Sequence, residues 1–199
     1  MELRAAAILA AGLALMASPG YAQNITYGGK VGVNFADVNQ TQGPDSTDKK
    51  AGLVVGGFVE KPLSNTISFQ PEVLYSQKGA KDHSENPEVS INVSVIQIPT
   101  LLKFNVAPKS PAHPFIVIGP GFAWVTSAKL KQDSNELDIK DDTEGFDPTF
   151  VIGFGGRYGN FMGEIRYDLG FRDLSKESDV TAKSRTLSLM GGYSFGKTK

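Results

Sequence analysis

The sequence predicts an all-β fold, an eight-stranded antiparallel up-and-down transmembrane β-barrel after a cleaved signal peptide. Three observations carry that expectation. The first segment reads as an export signal. The hydrophobic period after it is two residues. Long and short polar connections then alternate between the periodic segments, as they do in barrels that cross a membrane.

The opening segment has the three parts of a secretory signal. Arg4 supplies a positive charge, residues 5–17 (AAAILAAGLALMA) form an apolar run, and Gly20 and Ala22 place small residues at the −3 and −1 positions of a peptidase site. Thirteen apolar residues fall short of the roughly 20 that a spanning helix needs. The expected division is therefore a signal peptide over 1–22 and a barrel domain over 23–199, starting at Gln23. No later segment is apolar enough to span as a helix. A mature chain that crosses a membrane must then be a closed barrel, because only helices and barrels satisfy every backbone group in lipid.

Composition excludes several functions. Lys and Arg number 20 against 21 Asp and Glu, a formal net charge of −1, so the basic excess of a nucleic-acid partner is missing. The absence of cysteine excludes a disulfide framework and a thiolate metal site. The 22 glycines suit tightly turned, closely packed strands better than helices.

Eight strands follow from the period, at about 25–36, 51–61, 67–79, 91–106, 114–127, 148–158, 160–172 and 185–195. The third is the clearest: Ile67, Phe69, Val73 and Tyr75 face one way, and Ser68, Gln70, Glu72, Ser76 and Lys78 the other. The fourth changes phase, with Val93 and Val95 on the apolar face early and Ile96, Ile98, Leu102 and Phe104 later. A one-residue bulge near Val95 or Ile96 would explain this. The fifth is ambiguous because both its faces are apolar or glycine. Connections at 37–50, 80–90, 128–147 and 173–184 are long, whereas those at 62–66, 107–113 and 159–160 are shorter. An even strand number then puts both termini on the short-turn, periplasmic side.

Alternation alone does not say which face is outside, since a soluble lipocalin-type barrel reverses it. Aromatic residues near strand ends decide for lipid: Tyr27, Phe35, Phe69, Tyr75, Trp124, Phe150, Tyr158, Phe161, Phe171, Tyr193 and Phe195 are placed as interfacial girdles. The opposite face mixes both charge signs with Gly and Ser. It carries Lys30, Glu60, Glu72, Lys78, Lys103, Arg157, Glu164, Arg166, Asp168 and Arg172. These ten residues are the expected polar network of the lumen. Eight strands leave an interior just wide enough for side chains, so the network is expected to fill it, with Glu164, Arg166 and Asp168 facing Glu72 and Lys78. Inside a barrel such charges must be paired.

Other chemistry is weakly supported. Acyl transfer at the membrane needs a Ser or His nucleophile–base arrangement. The two histidines are His83, in a polar loop beside Ser84, and His113, in a short Pro-rich turn on the other side. Asp138, Asp141, Asp142 and Glu144 lie in a long loop but at no EF-hand spacing. No catalytic, cofactor-binding or metal-binding residue is therefore expected. The expected partners are outer-membrane lipid and the barrel-assembly machinery, with the long loops free to bind an extracellular ligand and the barrel acting as a monomer. A small solute pore and a lipid-modifying enzyme are the alternative functions.

Four segments carry a resemblance. Residues 68–80 (SFQPEVLYSQKGA), 98–104 (IPTLLKF), 114–121 with Gly119-Pro120-Gly121, and 164–170 (EIRYDLG) resemble successive strands of the PorT-like outer-membrane β-barrel family, the porin family proteins. The resemblance implies an eight-stranded barrel of OmpA- or OmpX-type size in the bacterial outer membrane. It implies no substrate. One departure is the C-terminus, where Phe195 would be the terminal aromatic but Gly196-Lys197-Thr198-Lys199 follows it.

Overall fold

The computed structural model describes residues 25–40, 47–82, 89–132, 135–138, 146–173 and 182–195. The expected signal peptide, His83, Asp141, Asp142 and Glu144 lie outside them. The strands are β1 (Thr26–Gln40), β2 (Thr47–Pro62), β3 (Ile67–Asp82), β4 (Val89–Asn105), β5 (Ala112–Gln132), β6 (Asn135–Asp138), β7 (Phe146–Tyr158), β8 (Phe161–Asp173) and β9 (Ala182–Ser194). All pairings among them are antiparallel. Eight strands run in the order β4-β3-β2-β1-β9-β8-β7-β5, and a further β4–β5 pairing closes the ring. Closure leaves no free sheet edge, which is what a lipid environment requires.

β6 is an addition to the eight expected strands. It is a four-residue strand that folds back on the far end of β5, pairing Gln132 with Asn135 and Lys129 with Asp138. It belongs to the acidic connection that the sequence reads as loop, and it stands outside the ring. The wall strands have 13 to 21 residues, more than the roughly 9–11 that cross a bilayer at a tilt. The surplus continues the barrel wall on the side of the long connections.

The short connections gather at the other end, together with the start of β1 and the end of β9. The two-residue turn between β7 and β8 is closed by Gly159, which takes a left-handed φ of 56° that glycine adopts without steric cost. On the same rim Phe195 donates its N–H to the Tyr27 carbonyl at 2.7 Å, fastening the last strand to the first.

The β4 expectation needs correction. Odd-numbered β4 residues stay in register with even-numbered β3 residues along the whole strand, so β4 does not change phase. The irregularity is at Ser94/Val95, where the sequence places it, but the extra residue is on β5: Ser94 pairs Ser127 and Val95 pairs Val125. Thr126 is the residue left over, and its hydroxyl donates to the Ser94 carbonyl at 3.0 Å. Val95 is consequently an inward residue and buried.

The outward face is apolar. Val31, Val55, Ile116, Ile152, Phe154, Ile165 and Leu189 are exposed on it, flanked by Tyr27, Phe35, Tyr75, Tyr158, Phe161, Phe171, Tyr193 and Phe195. At the rim of the short turns the rings run Tyr27–Phe195–Tyr193–Phe161, with centroids 6.0, 5.3 and 5.1 Å apart. A second group, Phe122, Trp124 and Phe146, clusters at 5.4–6.2 Å nearer the long connections. Phe69, expected in a girdle, is buried instead.

Candidate functional site

The candidate site is the lumen. Period-two strands place every second side chain there, and the network forms where those rows meet. Lys30 on β1, Glu72 on β3, and Glu164 and Arg166 on β8 converge into one four-membered cluster. The Lys30 Nζ bonds Glu72 Oε1 at 2.8 Å and Glu164 Oε2 at 2.6 Å. The Arg166 guanidinium forks onto Glu72, at 2.8 and 3.0 Å, and also reaches Glu164 at 2.6 Å. Gln70 donates to Glu72 at 2.7 Å. All four charged side chains are at most 1% exposed. Two cations face two carboxylates, so the cluster is neutral, and the bidentate Arg166–Glu72 pair gives it a fixed geometry.

A second charged cluster sits nearer the short turns. Lys103 Nζ and Arg157 Nη2 both bond the same oxygen of Glu60, at 3.1 and 2.7 Å. Lys103 also lies 4.3 Å from the centre of the Phe115 ring, a cation–π contact. On the side of the long connections the described lumen residues include both neutral and charged groups. Asn34 donates to Ser76 and accepts from Ser188 at 2.7 Å. Asp168 accepts a long 3.4 Å bond from Gln97, and Lys78 acts electrostatically on Asp168 and Asp147.

Of the ten residues singled out, seven therefore fall into two clusters: Lys30, Glu72, Glu164 and Arg166 in one, Glu60, Lys103 and Arg157 in the other. Lys78 and Asp168 form no close ion pair with either cluster, although Arg166 acts on Asp168 more strongly than Lys78 does. The Arg172 side chain lies outside the described residues. His113 is not in a turn. It is the second residue of β5, buried, with Nδ1 3.0 Å from the Ser110 carbonyl. That oxygen can only accept, so Nδ1 carries the proton. Among the described residues no group of His, Cys, Asp or Glu could hold a metal ion.

The sequence reading missed how apolar the lumen is. Phe58, Leu101, Phe115, Val117, Val151 and Met162 form one buried inward cluster, and Val54, Leu74 and Met190 another. These residues lean over glycines on the neighbouring strand. In register, Gly28 faces Phe58, Gly32 faces Met190 and Gly155 faces Phe115. A Cβ at Gly28 would stand 2.5 Å from the Phe58 ring, and one at Gly32 2.8 Å from Met190 Cγ. Glycine is needed there for room. The signal that could have found this is the pairing of an inward glycine with a bulky residue, but it becomes visible only once the register is known.

A family model for an outer membrane protein beta-barrel domain matches residues 21–176. The chain belongs to that family. It is a protein of the bacterial outer membrane. No curated protein matches the sequence. Among solved structures, neisserial surface protein A aligns over 85% of this chain and 97% of its own, with 13% identity and a TM-score of 0.52. The attachment invasion locus protein Ail of Yersinia pestis aligns over 87% and 100%, at 15% identity and a TM-score of 0.47. OprG from Pseudomonas aeruginosa aligns over 86% and 96%, at 9% identity and a TM-score of 0.46. The likeness to the neisserial protein is one of fold.

Proposed function

We propose that this outer-membrane barrel is a non-conducting envelope scaffold, exported by a signal peptide over 1–22, whose work is done by the surface it presents beyond the membrane. The observation that carries the reading is the filled lumen. The Lys30–Glu72–Glu164–Arg166 cluster bridges β3 to β8 across β2, β1 and β9, and the two apolar clusters pack against the rest of the wall. Eight strands provide little more space than these side chains occupy. The long connections then supply the surface for an extracellular ligand. The barrel needs outer-membrane lipid and the assembly machinery as partners and no second copy of itself. Within its family the PorT-like group is the best fit, on segments 68–80, 98–104 and 164–170. No chemical step is part of this reading. The inward histidine His113 is tied to a backbone carbonyl rather than to a hydroxyl nucleophile.

Single-channel recording tests it. The folded barrel, verified by heat-modifiable gel migration, is expected to give no steady conductance step in a planar bilayer. A reproducible step that persists after repurification would replace the scaffold by a small solute pore.

A further inference from the structure

We propose that the periplasmic mouth of the barrel holds a phosphate-type oxyanion, with Arg157 and Lys103 as its cationic ligands. The first observation is a charge imbalance. Both cations are buried, and both bond one carboxylate oxygen, Glu60 Oε2. After Glu60, the charges that act most strongly on Lys103 are two more cations, Arg157 and Lys30. Lys30 is already matched within its own neutral cluster. Among the described residues two positive charges therefore share a single negative one at a buried position, and a buried excess charge is costly without a counter-ion.

The second observation is an unused donor. The Arg157 Nε is buried and has no hydrogen-bond partner, although buried polar groups are nearly always satisfied. A guanidinium offers a planar fork matched to oxyanions, and here Nη2 is engaged by Glu60 while the Nε remains for a ligand.

Position is the third. Arg157 is the last inward residue of β7, and His113, its partner in register, is the second residue of β5. Both are at the rim of the short turns. An open groove of about 650 Å³ on the outer face of the wall, bounded by Phe154, Tyr158, Phe161 and Leu189, reaches the same rim. The headgroup phosphate of a lipid lying in that groove could reach over the rim to the buried cation, and free phosphate presents the same chemistry.

The test measures thermal unfolding of the detergent-extracted barrel in a phosphate-free sugar detergent. Inorganic phosphate is expected to raise the unfolding temperature in a saturable way that chloride at equal ionic strength does not reproduce. Arg157→Gln, which keeps the stem and an amide donor but loses the charge and the guanidinium fork, should weaken that apparent affinity about tenfold or more. Lys109→Gln, which removes an exposed cation from the neighbouring turn, should change it less than about twofold. Should Arg157→Gln not fold, Glu60→Gln serves: removing the competing carboxylate is expected to tighten phosphate binding. Vesicles separate the sources. Protection by phosphatidylglycerol over a phosphate-free glycolipid, with free phosphate absent, assigns the site to a headgroup, and protection by inorganic phosphate alone assigns it to the free ion. Equal protection by chloride, an Arg157→Gln barrel that keeps full phosphate affinity, or a Glu60→Gln barrel that does not bind more tightly overturns the proposal.

Discussion

Replacing Arg166 by Ala is expected to destabilise the barrel by about 3–5 kcal/mol, the cost of breaking a buried ion pair. Arg166 neutralises both carboxylates of its cluster, through a fork on Glu72 and a second contact with Glu164. Without it, Lys30 alone faces two buried negative charges. Urea or thermal unfolding of the refolded barrel measures the loss. Because the cluster is sealed from solvent, the loss should change little between low and high salt, where an exposed pair would be screened. Adding Glu72→Ala to Arg166→Ala should recover part of it, because the double variant removes a charge that the single one strands. Couplings of roughly 0.5–3 kcal/mol are normal for side chains in direct contact. Additive losses, or an unchanged unfolding midpoint in Arg166→Ala, would show that the cluster does not act as a unit.

This cluster also shows how far a sequence can be read. The alternation of Glu72 with Val73, and of Glu164 and Arg166 with Ile165, assigns these charges to one face without any structure, since strand period is geometric. The closed eight-stranded barrel follows from the same signal with the long–short rhythm of connections. Which charges meet is a different matter. Lys30 and Glu164 are 134 residues apart, and their meeting depends on the tilt and stagger that closure imposes. Local sequence carries none of that. It could not separate Asp168, which looks like a third member of the Glu164–Arg166 row, from the cluster it stands above. β4 failed for a related reason. Its inward residues include Val95 and Leu101, as apolar as its outward Ile96 and Leu102, so polarity stopped reporting the face. The register shift opposite Ser94/Val95 leaves β4 in phase, and the spare residue, Thr126, sits across the pairing on β5.

Gly155 and Gly156 are neighbours in β7 and should respond oppositely to the same added methyl group. Gly155 points into the lumen, where a Cβ would collide with the Phe115 ring and with the Gly163 carbonyl of β8. Neither can yield easily. The ring is fully buried in the inner apolar cluster, and the carbonyl belongs to the wall. Gly155→Ala is therefore expected to cost about 3 kcal/mol, at the upper end for an overpacked core. Gly156 points outward, and a Cβ there meets nothing within 4 Å. Gly156→Ala adds a methyl group on the lipid side and should stay within about 0.5 kcal/mol of the parent. Equilibrium unfolding of the two variants side by side in lipid vesicles makes the comparison. Phe115→Leu in the Gly155→Ala background should restore part of the loss by relieving the ring but not the carbonyl. If both glycine variants lost the same stability, the clash with the Phe115 ring would not be the cause, since Gly156 has no such neighbour. A large loss at Gly155 alone would mean that inner packing against glycine, together with the ion clusters, keeps so narrow a barrel filled.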